Sequence, residues 1–212
     1  MNRRSILTSQ DYTSYLLSLW FPGEGDIIDQ CVARAYRDIS LTLRGITKVE
    51  NREALLKEVV GIARDRLVAL ADLGTDMQAQ TQYDAWHRAS CEALVAAFGR
   101  YGYTGFRIGQ AQRWLNLSQR YLYAMGEDRA PGYGDIYPLC HIPLDTTLLE
   151  QLARFGFEGL AKPWTQIEDY DTYLSCQEWV RRRFTLVPLD VEMLLWLEQK
   201  RPGASARTGL SL

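Results

Sequence analysis

Histidine, paired cysteine, lysine in the middle of the chain and long apolar runs are all scarce in this 212-residue sequence. Only His87 and His141 occur, and Cys31, Cys91, Cys140 and Cys176 are scattered without a CxxC pair. Soft metal ligands are therefore too few and too far apart for a structural zinc site, and the thiols read as buried and reduced. No Walker loop, Rossmann fingerprint, serine nucleophile elbow or paired-histidine motif is present, so no cofactor and no metal is expected. No stretch reaches the roughly eighteen consecutive apolar residues of a membrane helix, which excludes a membrane partner of that kind. The start, Met1-Asn2-Arg3-Arg4, lacks the apolar core of a signal peptide, and a cytoplasmic address is the expectation. A formal net charge of −2 gives no basis for wholesale electrostatic capture of nucleic acid.

What the chain has is helical periodicity. Ile28, Val32, Ala35, Ile39 and Leu43 recur on one face between an Asp26 cap and Gly45. Asn51 opens a second helix to about Leu73 with Leu55, Val59, Ile62, Arg66 and Ala69 on one side. A third runs from Gln82 to Phe98 through Trp86, Ala89, Ala93, Leu94 and Ala97. After the glycine-rich, aromatic stretch Tyr101 to Gly109, a helix from Ile108 to Met125 buries Ala111, Leu115, Ser118, Leu122 and Met125. That pattern leaves Gln110, Arg113, Gln119 and Arg120 off the buried stripe, facing solvent or an anionic ligand. Helices from Asp145 to Gly156, Trp164 to Phe184 and Leu189 to Lys200 follow, and a Tyr12–Trp20 segment reads as a short helix or arm. No alternating strand pattern intervenes, so the fold class is all-α: a compact multi-helix domain over 1–200, with lobes at 26–99 and 100–200 as one subdivision and 201–212 as a loose tail.

Two segments carry chemistry. Arg100, Arg107, Arg113 and Arg120 arrive without an acid between positions 93 and 126, and guanidinium forks suit phosphate oxygens. Downstream, His141-Ile-Pro-Leu-Asp145 ends a Pro/Gly-rich stretch, and Pro143 fixes the approach of the Asp145 carboxylate to a helix start. A carboxylate there either caps helix amides or stabilises the sugar cation formed when a base leaves deoxyribose. A second Pro-Leu-Asp at Pro188-Leu189-Asp190 shows that the tripeptide also serves as a plain helix start.

Together these segments resemble the helix-hairpin-helix DNA glycosylases, nearest to the archaeal 8-oxoguanine branch, over residues 95 to 156. The hairpin counterpart is Tyr101 through Gly109, and the family's Pro-Val-Asp counterpart is Pro143-Leu144-Asp145. The resemblance implies Asp145 as the catalytic acid, and Gln110, close to the family's lysine position, as a group that orients phosphate or water. With no Gly-Pro-Gly and no lysine between Gly99 and Met125, it implies monofunctional hydrolysis rather than Schiff-base chemistry. DNA is the implied partner, met by Arg107, Gly109, Arg113, Asn116, Arg120 and His141, with Trp114 and Tyr133 stacking on a base. Asn116 has a second reading as a buried tie for the loop before Asp145. The alternative to catalysis is a non-enzymatic helical module that binds nucleic acid or a protein partner.

Overall fold

The computed structural model describes residues 8–21, 25–73, 76 and 79–200; the expected loose tail at 201–212 lies outside them. Among the described residues there are eight α-helices and no strand: α1 Ser9–Trp20, α2 Ile27–Ser40, α3 Arg52–Asp72, α4 Gln80–Arg100, α5 Ile108–Met125, α6 Thr146–Ala153, α7 Tyr170–Arg183 and α8 Pro188–Lys200. The all-α expectation holds, and no described helix is long and apolar enough to cross a membrane.

Local chemistry sets the helix ends. Thr8 and Asp11 form a reciprocal capping box at the start of α1, the Asp11 carboxylate accepting from Thr8 N at 2.7 Å. Asp26 caps α2 by accepting from Ile28 N at 2.8 Å. The α2 helix stops at Ser40 rather than near Arg44, because the hydroxyls of Ser40 and Thr42 donate back to Arg37 O and Ile39 O, each at 2.7 Å. Gly45 then takes the left-handed conformation, φ 81°, that turns the chain into a short 3₁₀ turn at Ile46–Lys48. The single helix expected over Trp164 to Phe184 is broken: Trp164–Gln166 is a 3₁₀ turn, Ile167 is extended, and Asp169 restarts the helix by capping Thr172 N at 2.8 Å.

The apolar core is continuous from α2 to α8 and does not divide at residue 99, since the Trp114 indole on α5 donates to Val32 O on α2 at 3.0 Å. Two expected stripes are corrected. The buried face of α3 is Leu55, Val59, Ala63, Leu67 and Leu70, a path that leaves Arg66 only half-buried and Ala69 exposed. The α4 helix turns Tyr83, His87, Cys91, Leu94 and Phe98 inward, leaving Ala89 exposed. All four cysteines are buried and free.

The larger correction concerns α5. It is packed by α2, α4, α7 and the 164–166 turn, so burial extends almost around it. Gln110 and Gln119 are inside, each 3% exposed, instead of facing solvent. Gly109 is there because the turn leaves no room for a side chain: a Cβ would lie 1.9 Å from Trp164 O. Its N–H donates to Ile167 O at 3.1 Å, which fastens the start of α5 to the break before α7.

Gly109→Ala should therefore force the 164–167 backbone away from α5 and cost about 2–3 kcal/mol. Urea unfolding at neutral pH measures it, and an unchanged midpoint would contradict the close approach.

Candidate functional site

The buried amides of α5 organise the segments that the sequence singled out. Gln112 donates to Leu144 O and accepts from Leu144 N, both at 3.1 Å, and also donates to Gly109 O at 2.9 Å. Asn116 Nδ2 donates to Ile142 O at 3.2 Å, to Gln112 Oε1 at 3.1 Å, and toward the Tyr173 hydroxyl at 2.9 Å. From α7, Gln177 pairs with both backbone groups of Ile142, each at 3.0 Å. The 141–144 segment is buried backbone outside any helix or strand, so side-chain amides supply the hydrogen-bond partners that regular structure would have given.

The same spine continues into a histidine pair. His87 contacts the Tyr170 hydroxyl and Asn116 Oδ1, both at 2.9 Å. His141 contacts the Tyr173 hydroxyl at 2.9 Å and Asp84 Oδ1 at 2.7 Å, and the two imidazoles lie 4.8 Å apart. Arg181 closes the outer end on Asp84 Oδ2 at 3.1 Å. Burial holds His87 well below an ordinary imidazole pKa, and proximity to His141 adds to that. Burial lowers His141 too, against the opposing pull of Asp84. Burial alone would raise Asp84, but hydrogen bonds from His141 and Gln80 and the charge of Arg181 hold it at about 2. This assembly has the parts of an acid–base relay, yet both rings are fully buried, which suits a structural network.

Asp145 meets one of the arginines, Arg113, and the others pair with acids elsewhere. Asp145 Oδ1 caps α6 by accepting from Leu148 N at 2.7 Å, and Oδ2 meets Arg113 at 2.7 Å. Arg120 meets Glu192 of α8 at 2.6 Å, and Arg107 meets Glu168 at 3.1 Å. The acids absent from positions 93–126 arrive from α6, α8 and the 167–169 segment. Beside Asp145 the recess is about 20 Å³, room for about one water and far from nucleotide size.

The remaining candidates are core groups in this fold. Trp114 is fully buried, and the buried Tyr133 donates to Leu67 O at 2.8 Å, so neither ring presents a face for stacking on a base. Gln110 accepts from Arg107 N at 3.1 Å, closing the start of its own helix. Gly109, Asn116 and His141 have the internal partners described above. A recess of about 500 Å³ lies beside the glycine-rich turn and is lined by Gln110, Arg44 and Thr165.

Sequence reasoning missed a third surface. A recess of about 380 Å³ opens between α1, α5 and α8, walled by Trp20, Tyr121, Ala124, Met193, Trp196 and Leu197, with Arg120 and Glu192 also lining it. Leu16, Leu19 and Trp20 stand 57%, 59% and 55% exposed on α1. The signal was present in the apolar spacing of Tyr15, Leu16, Leu19 and Trp20 along α1. Arg34 lies 4.5 Å above the Trp20 ring and pairs with Asp38, so the rim is charge-balanced. No family model, curated protein or solved structure matches this chain.

The buried histidines give a pH dependence with a definite sign. Unfolded imidazoles take up protons below about pH 6.5 while the folded ones resist, so stability is complete above that pH and falls below it. The slope should approach about 1.4 kcal/mol per pH unit for each ring. Urea midpoints from pH 8 to pH 5 test this, and a flat profile would refute the neutral buried pair.

Proposed function

We propose that this chain is a non-enzymatic helical module that binds an amphipathic helix of a protein partner across α1, α5 and α8. The observation that carries this reading is the apolar lining of the 380 Å³ recess, which Trp20 of α1 helps to form, together with the exposed Tyr15, Leu16 and Leu19 on the same helix. Twelve residues of α1 span about 18 Å, a length that matches a helix laid alongside and exceeds what a small ligand covers. Charge points the same way, because Arg34, Arg113 and Arg120 are each paired with an acid. Phosphate capture depends on uncompensated cations.

A photo-reactive residue in place of Leu197 should couple to a polypeptide whose linked segment carries apolar residues at i, i+3, i+4 and i+7. Leu16→Asp, a change at an exposed position, should reduce coupling about thirtyfold, the scale of a lost hot spot. A nucleic-acid adduct, or coupling indifferent to Leu16→Asp, would refute the module.

Base excision at Asp145 is a second reading, favoured by one observation: the Asp145–Arg113 pair adjoins Glu192, which also lines an aromatic recess large enough for a nucleobase. Against it, both Asp145 oxygens already have partners. The expected outcome is no base release from duplexes carrying oxidised, deaminated or alkylated bases. Release that disappears in a folded Asp145→Asn variant would establish the glycosylase reading instead.

A further inference from the structure

Helix α1 has an inner and an outer face. Ser14, Leu17 and Phe21 turn toward the body and are half-buried. Ser14 Oγ accepts from Arg129 at 2.9 Å, Leu17 packs against the core, and the Phe21 ring meets Tyr121 edge to face at 5.6 Å. Tyr12, Tyr15, Leu16 and Leu19 point the opposite way, because at about 3.6 residues per turn their mean direction lies half a turn from that of the inner three. All four are exposed, between 49% and 61%. Trp20 stands about a quarter turn away from them and lines the recess.

The outer face is self-complementary. Positions 12, 15, 16 and 19 are symmetric about the point midway between 15 and 16, so the apolar pattern is the same read from either end. An antiparallel copy of such a helix matches every apolar side chain: Tyr12 meets Leu19 of the second copy, and Tyr15 and Leu16 meet their counterparts around the two-fold axis. The same residues have the i, i+3, i+4, i+7 spacing by which an amphipathic helix docks.

We infer that the helix docked on α1 is α1 of a second copy of this chain, in an antiparallel two-fold dimer. The inference rests on the module reading and names its partner. Charge selects the orientation, since Asp11 is the one charged residue of α1. A parallel pair would set the two Asp11 carboxylates at one level, whereas the antiparallel pair separates them by about 13 Å along the axis, beyond the screening length in physiological salt. The helix dipoles are then opposed as well. Covering these side chains on both copies buries on the order of 1,000 Å², the lower limit for a specific interface, so the dimer is concentration-dependent and not permanent.

Sedimentation equilibrium of the full chain across micromolar concentrations tests the association. The mass should rise from 24.3 kDa toward twice that value. Leu16→Asp and Leu19→Asp, each entering the contact twice, should raise the dissociation constant about a hundredfold while leaving the urea midpoint of the monomer unchanged. Cysteine cross-linking reads the orientation, because all four native thiols are buried. In a mixture, Tyr12→Cys chains should form disulfides with Leu19→Cys chains and not with themselves, since like positions lie about 10 Å apart along the axis. A mass that stays at 24.3 kDa would overturn the second copy as partner. Photo-coupling of Leu197 to a different polypeptide would then keep the module reading, and its absence would remove both. Association indifferent to both aspartate variants would overturn the assignment to α1, and self-linked Tyr12→Cys chains would overturn the antiparallel order.

Discussion

The structure depends on one constraint: the 141–144 segment, outside any helix or strand, lies buried beside α5, and its backbone groups must be hydrogen-bonded without a neighbouring strand. Gln112 and Asn116 from α5 and Gln177 from α7 meet that demand, each amide contributing a donor, an acceptor or both. Unmet, each such backbone group would cost about 1–3 kcal/mol, so these amides hold the segment in one place. Its position in turn sets Asp145 at the start of α6 and carries His141 against His87, Tyr173 and Asp84.

That arrangement determines where charge and apolar surface end up. With α5 enclosed nearly all round, its cationic side chains reach the edges of the core and find acids on other elements, Asp145 and Glu192 above all. The run of arginines is thereby converted from a positive stripe into a set of neutral pairs. Around the end of α5, aromatic and aliphatic side chains of α1 and α8 border a recess that the Arg120–Glu192 pair also lines.

Much of the fold was legible because its signals are local. The bounds of α5, Ile108 to Met125, follow from apolar spacing between a glycine-rich turn and Gly126, and the caps at Asp26 and Asp145 come from carboxylates one residue before a helix, whereas the cap at Asp169 was hidden inside a longer apolar pattern. The α2 face was legible for the same reason. The α4 face was not, because it contains His87 and Ser90, polar residues that hydrophobic periodicity turns outward and that a polar interior turns inward. Gln112 shows the same failure: by sequence a glutamine on a helix is a solvent group, and only the packed 142–144 backbone makes it a core residue. Asn116 was legible in one of its two readings, the tie to the loop before Asp145.

Sequence by itself determined that this is a helical protein, where most of its helices begin and end, and that residues 107–125 and 141–145 belong to one problem. Those properties rest on propensity, capping and periodicity, which act within a few residues of one another. Tertiary structure alone decided that Arg113 and Arg120 are neutralised, that Trp114 and Tyr133 are core, and that α1 with α8 frames an apolar recess. Each of those outcomes depends on groups brought together from distant parts of the chain: Arg120 finds Glu192 seventy-two positions away, and Trp114 donates to a carbonyl eighty-two positions away. A local pattern carries no record of such a partner, because charge pairing and burial are set by distance in space.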